Sequence, residues 1–222
     1  MASGWRRLAH GWSVACGPGM SAAFVRDFVR PAVRALPSAM ARRLGCCRLF
    51  LSSGAGSNVT SQWTETEAGL DVSVMTGGCD EHDAVMELLL CFGQALWSKL
   101  SDAELRAYWT LLDQEITEEV TGEIDELALD EKRALLAGRR KRLDRYGGAS
   151  FAGTAAEYVH SLWHDVTIRT GRDYLPAPQL RRRLELLARW FPPDRGYHLF
   201  PAKPRGPRQG ADAPHRCRVR NI

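Results

Sequence analysis

Hydrophobic residues recur at helical spacing near the start of the chain and through its second half, and they alternate with polar residues in between. The helical pattern over 21–44, interrupted at Pro31 and Pro37, predicts a layer of short N-terminal helices. The alternating pattern predicts three strands, at Cys47–Leu51, Val59–Thr64 and Leu70–Met75. Because short turns separate these strands, we expect them to pair as a small antiparallel meander.

Longer helical patterns follow the predicted sheet. Residues 81–100 are apolar nearly all round, which predicts a central buried helix. Ser101-Asp102-Ala103-Glu104 has the composition of a capping box and is expected to begin a helix with an apolar stripe as far as Val120. A last helix is predicted from Pro178 to Phe191. The fold class we expect is α+β, mostly helical, with a small antiparallel sheet.

The chain has 222 residues, of which 45% are hydrophobic, and this suits one globular domain at 20–200. Residues 1–19 lack a regular period, so we expect a disordered extension, with Met20 as an alternative start. Residues 201–222 are rich in Pro, Gly and Arg and predict a disordered basic tail. The six cysteines form no CxxC pair, and no apolar run suits a membrane span or secretion signal. We therefore expect a cytoplasmic protein without membrane association.

Charge is unevenly spread although the net charge is only +4. Residues 113–131 carry nine carboxylates and residues 132–145 carry seven basic side chains, which we expect to pair or to cover opposite solvated faces. The triplet Arg181-Arg182-Arg183 lies mainly away from the apolar stripe of its helix, which predicts solvated side chains. No glycine cradle or aromatic strand face accompanies it, so nucleic acid is not the expected partner; a protein or peptide is.

Glu157, His160 and His164 form the strongest candidate for a chemical site. Their spacing of three and then four residues places all three on one face of a helix that we expect to end near Thr170. Two imidazoles one turn apart can chelate one ion, with Glu157 as third ligand, and zinc is the metal such a site would take. The alternative is that these side chains only hydrogen-bond to core or surface groups, as in a non-enzymatic interaction domain.

A second polar cluster, Cys79-Asp80-Glu81-His82-Asp83, lies at the start of the buried helix. Its acidic members are expected to cap the helix or to stabilise the positive end of its dipole. Within this cluster His82 is the better candidate for a metal ligand.

The segment Leu88-Leu89-Leu90-Cys91-Phe92-Gly93-Gln94-Ala95-Leu96 resembles the zinc-binding helix of zincin metallopeptidases, which carries His-Glu-x-x-His in the same apolar frame. Leu90 stands where the first His ligand would be, Cys91 where the general-base Glu would be, and Gln94 where the second His would be. None of the three keeps the chemistry of its position, because catalytic zinc needs three protein ligands and a carboxylate beside its water.

A second segment, Tyr146 to Thr154, is similar to the one that supplies the third ligand in zincins related to anthrax lethal factor, with Ser150 and Gly153 in place of the carboxylates. The resemblance implies a zincin-like fold without ordinary peptidase activity. Two outcomes follow from it: a scaffold that has lost hydrolysis, or a relocated metal site at His160 and His164. In the second outcome, the helix face that carries Glu87, Cys91 and Gln94 would oppose the histidines, and Glu87 would be the candidate acid or base.

Overall fold

The computed structural model describes residues 4–54, 60–77, 80–139, 142–164 and 170–200. One face of a five-stranded sheet packs against a mostly helical layer, which confirms the α+β class. The strands are β1 (Arg6–Arg7), β2 (Ser13–Cys16), β3 (Cys47–Ser53), β4 (Thr60–Thr66) and β5 (Gly69–Thr76). The helices are α1 (Ala22–Phe24), continued by a π-helical turn (Val25–Val29) into α2 (Arg30–Ala35), then α3 (Ser38–Leu44), α4 (Glu81–Trp97), α5 (Asp102–Thr117), α6 (Glu126–Leu136), α7 (Leu143–Trp163) and α8 (Ala177–Trp190).

The sheet is mixed, so the predicted antiparallel meander was wrong for β3, whereas β4 and β5 pair antiparallel as predicted. Its order is β1-β2-β3-β5-β4, with β3 parallel to both β2 and β5, and with antiparallel pairs at the two edges. β5 thus lies between β3 and β4. The alternation of apolar residues fixes which face of a strand is buried, as it does for Leu49 and Val72, but it carries no information about the neighbouring strand.

Residues 6–7 and 13–16 belong to the sheet, contrary to the disordered extension predicted over 1–19, of which residues 1–3 lie outside the described residues. β2 pairs in parallel with β3, and the buried indole of Trp12 donates a hydrogen bond of 2.9 Å to the carbonyl oxygen of Gly45. A strand of four residues is too short to show a period in the sequence. The predicted basic tail at 201–222 and the candidate ligand Cys79 lie outside the described residues.

The centre of the molecule is the packing of α4 against α7. A Cβ atom at Gly93 of α4 would lie 2.7 Å from both the Cα and the carbonyl oxygen of Ala152 in α7, so glycine permits this close approach. α7 runs continuously through Gly147 and Gly148, although paired glycines are typical of a break between elements. Gly147 instead makes room for the indole of Trp109.

Side-chain caps set several helix boundaries. The carboxylate of Asp80 accepts a hydrogen bond from the amide of Asp83 at the start of α4. The predicted capping box at the start of α5 is confirmed, since Ser101 and Glu104 each bond to the backbone of the other. Within the described ranges, no helix combines the length and apolar character needed to cross a membrane.

Candidate metal centre

The first turn of α4 and the last turn of α7 lie side by side and bring two histidines together. Gly93 packs near Ala152 and His82 lies near His160, so the two helices run antiparallel. The sequence predicts that His164 continues the helix, yet α7 ends at Trp163 and His164 has extended backbone angles. Its ring nevertheless stacks on that of His160, with a centroid separation of 5.1 Å, and lies 5.7 Å from that of His82. We call His82, His160 and His164 the histidine cluster.

Two imidazole nitrogens converge within this cluster. Nε2 of His82 lies 3.0 Å from Nε2 of His160, and the two rings meet edge to face. Two ligands at about 2.05 Å from a tetrahedral zinc ion are about 3.4 Å apart, so the observed pair is a few tenths of an ångström from chelating geometry. Without a metal, the same distance is a hydrogen bond in which one ring donates and the other accepts.

The three members of the histidine cluster differ in their access to solvent. His160 is 5% exposed, whereas His82 is partly exposed and His164 is exposed. Burial and then the proximity of His160 lower the pKa of His82, although Asp80 partly offsets this effect. The neutral imidazole, which is the form that binds metals, is therefore favoured at this position.

Glu157, the predicted third ligand, lies on the other side of the His160 ring. Its Oε2 atom is 3.9 Å from Nδ1 of His160, and this nitrogen is buried without a hydrogen-bond partner among the described residues. The buried indole nitrogen of Trp163 also lacks a partner there. Since Nε2 is the atom that approaches His82, Glu157 contacts the nitrogen that points away from the cluster.

Carboxylates from the start of α4 form the exposed rim of the cluster. Ligand atoms of Asp80, His82 and Asp83 all lie within 4.8 Å of one another. Asp80 already caps α4, and the carboxylate of Asp83 lies 4.0 Å from Nδ1 of His82, the ring nitrogen on the side away from His160. Such a set of nitrogen and oxygen donors suits a borderline divalent transition metal.

The candidate acid or base Glu87 does not face the histidines. At about 100° per residue it lies about 140° around α4 from His82. Its Oε2 atom accepts a hydrogen bond of 2.9 Å from the hydroxyl of Ser61 in β4, and Gln94 on the same side accepts one of 3.0 Å from the indole of Trp63. Burial raises the pKa of Cys91, which keeps this thiol protonated and unreactive. The opposed faces expected from the sequence therefore do not form one pocket.

The positions that the zincin resemblance assigns to a metal do not fit one. Leu90 has no ligand atom, and the amide of Gln94 is engaged by Trp63. Ser150 accepts a hydrogen bond of 2.7 Å from Nη1 of Arg183, and Gly153 packs against the carboxylate of Asp125. These side chains are committed to packing and hydrogen bonds of the fold.

The side chain of Arg183 is completely buried, contrary to the solvated arginine triplet expected from the sequence. Its guanidinium donates hydrogen bonds to Glu115 (Nη2 to Oε2, 2.5 Å) and to Glu123 (Nη1 to Oε2, 2.8 Å). Arg182 pairs with Glu118 nearer the surface. The triplet spans two faces of α8, and its last member is on the buried one.

Glu123 connects this arginine to a second buried cation. Lys132 lies 3.1 Å from Oε1 of Glu123, and the hydroxyl of Tyr146 donates to the same oxygen. Burial alone would raise the pKa of Glu123, but the charge and hydrogen bonds of Arg183, together with Lys132 and Tyr146, outweigh burial and bring that pKa down to about 2. No signal in the sequence distinguished the buried Glu115, Glu123 and Lys132 from their solvated neighbours.

The chain was compared with models of known protein families, with curated proteins and with solved structures, and none of them matches it.

Proposed function

We propose that this protein is a metal-binding domain that holds one divalent transition-metal ion in the histidine cluster and lacks ordinary peptidase activity. The convergence of Nε2 of His82 and Nε2 of His160 at 3.0 Å carries the proposal. His164 supplies the third nitrogen after a change of its side-chain rotamer. Asp80 at the rim, or water, completes the coordination, whereas Asp83 approaches His82 at Nδ1 and not at the nitrogen that would bind the ion.

Zinc is the metal we propose. Imidazole ligands suit zinc, copper and nickel, whereas magnesium and calcium prefer sites made entirely of oxygen donors. The cluster joins two helices that are far apart in sequence, so a bound ion would act as a clamp between the start of α4 and the end of α7.

The absence of peptidase activity is proposed from the helix that resembles the zincin motif. Cys91 stands where a general-base carboxylate would be needed, and its thiol is buried in the core. Glu87 accepts a hydrogen bond from β4 on a face of α4 that is turned away from the histidines. A metal ion in the histidine cluster would therefore have none of the acid and base groups that the zincin pattern provides.

The experiment is zinc reconstitution of chelator-stripped protein, followed by dialysis and plasma mass spectrometry. We expect one zinc per chain in the wild type and loss of that zinc in His82→Ala and in His160→Ala. His198→Ala is the matched control, because His198 is exposed and is not a member of the cluster. Wild-type protein that retains no zinc, or a His82→Ala variant that retains it fully, would contradict the proposal. The loaded protein is expected to leave casein intact.

A second candidate is a protein-interaction domain, and one observation favours it. Phe50 and Met75 are 39% and 48% exposed and lie on the sheet face opposite the helices. Phe50→Ser and Met75→Ser would weaken binding to a protein partner without changing zinc content. If His82→Ala and His160→Ala lose zinc but still bind the partner normally, the two functions are separate.

A further inference from the structure

One carboxylate beside the histidine cluster has a role other than that of a ligand. We propose that Glu157 is a positioning residue that accepts the proton on Nδ1 of His160 and so keeps Nε2 as the metal-binding atom. This inference rests on the proposed metal site and replaces the role that the sequence suggests for Glu157.

The first observation is the direction of each ring nitrogen. Nε2 of His160 is 3.0 Å from Nε2 of His82, whereas Nδ1 of the same ring is 3.9 Å from Oε2 of Glu157. The two nitrogens leave the imidazole in different directions, so a carboxylate placed at Nδ1 does not reach an ion held at Nε2. The spacing of three residues on α7 keeps Glu157 beside the ring of His160.

The second observation is that Nδ1 of His160 is buried and has no hydrogen-bond partner among the residues that the structure describes. Within the described ranges, Glu157 is the only residue with a carboxylate oxygen within 4.0 Å of a ring nitrogen of His160. A hydrogen bond from this nitrogen to an oxygen requires about 2.7–3.2 Å, so a side-chain rotation that moves Oε2 by roughly 1 Å completes it. The Glu157 side chain is 15% exposed, so it is not fully enclosed by its neighbours.

The chemical reason is the tautomer of the neutral imidazole. When Nε2 donates its lone pair to a metal, the single ring proton must be on Nδ1. An acceptor at Nδ1 then favours the competent tautomer and fixes the orientation of the ring. Removal of such an acceptor lowers metal affinity about 10- to 100-fold in comparable sites.

Zinc affinity in two variants separates positioning from ligation. We expect chelator competition to show a 10- to 100-fold weaker affinity for Glu157→Ala than for the wild type. Glu157→Gln retains a carbonyl acceptor for Nδ1 and is expected to remain within a few-fold of the wild type. The control is Glu185→Ala, which removes an exposed carboxylate that pairs with Arg181 on α8. Equal losses in Gln and Ala variants would indicate direct ligation and overturn the proposal, as would no loss in either.

A metal-free measurement keeps this inference distinct from the proposed function. Nitrogen NMR of the His160 ring at pH 8 is expected to show the Nδ1-protonated tautomer in wild type and Glu157→Gln, and a shift towards the other tautomer in Glu157→Ala. Identical tautomer populations in all three proteins would overturn the positioning role even if zinc binds. A wild type that binds no zinc but shows the expected tautomers would overturn only the metal proposal.

Discussion

Substitution of Asp125 should change how the stability of the protein depends on pH. Oδ1 of Asp125 caps α6 by accepting a hydrogen bond of 3.0 Å from the amide of Ala128. Oδ2 is buried against Gly153 without a partner among the described residues. Burial, with a further contribution from the negative charge of Glu123, raises the pKa of Asp125 from 3.8 to about 6.

The size and sign of the effect follow from proton linkage. Between pH 3.8 and about 6, the folded protein retains a proton on Asp125 that the unfolded chain has lost, so stability falls as pH rises. The interval of about 2.2 pH units, at 1.36 kcal/mol per unit, corresponds to about 3 kcal/mol. Above pH 6 the carboxyl is ionised in both states and this contribution stays constant.

The assay is urea unfolding of wild type and Asp125→Asn at several pH values from 4 to 7, followed by tryptophan fluorescence. Asn keeps the ability to cap a helix but does not titrate. The free energy of unfolding of the variant relative to wild type should therefore rise by about 2–2.5 kcal/mol from pH 4 to 7, since part of the full contribution of about 3 kcal/mol lies below pH 4, and then level off. Asp125→Ser, another capping residue that does not titrate, should give the same pH dependence. A difference that is flat from pH 4 to 7 would refute the argument from burial.

Two further stability predictions concern close packing and buried charge. Gly93→Ala should destabilise the protein by about 1–3 kcal/mol in urea unfolding, because the new methyl group meets the backbone of Ala152. Gly148→Ala should be neutral or stabilising by up to about 1 kcal/mol, since a Cβ atom there would lie 3.4 Å from its nearest neighbour, Trp97. A larger loss of unfolding free energy in Gly148→Ala than in Gly93→Ala would contradict the packing argument. Arg183→Met should cost about 3–5 kcal/mol by leaving two buried carboxylates with Lys132 as their one remaining buried counter-ion among the described residues, and a loss below 1 kcal/mol would show that water reaches them.

Local patterns were sufficient to predict several elements. The capping box at Ser101 fixes the start of α5, and the apolar sequence from 81 onward indicates the buried α4. Alternation identified the buried face of β5. These features depend on residues within one or two turns of each other, which is the range over which a sequence pattern reports structure directly.

Long-range placement was not predictable in the same way. His82 and His160 are 78 positions apart, and only the antiparallel packing of α4 and α7 makes them neighbours. Arg183 looked like Arg181 and Arg182 in sequence, yet its burial depends on Glu115 and Glu123 from other elements. The end of α7 at Trp163 was also missed, because the helix was expected to continue as far as the glycine at 171, although the β-branched residues Val166, Thr167 and Ile168 are weak helix formers.

The buried position of Arg183 makes α8 indispensable to the rest of the fold. A fragment that ended before residue 177 would keep Glu115, Glu123 and Lys132 in an interior that has lost its arginine, with two carboxylates facing one ammonium group. Burial of that excess negative charge is costly, so the shortened chain would admit water between α5 and α7 or fail to close. The fold therefore requires its last helix. Truncation or proteolytic cleavage before α8 should yield unfolded protein instead of a smaller domain.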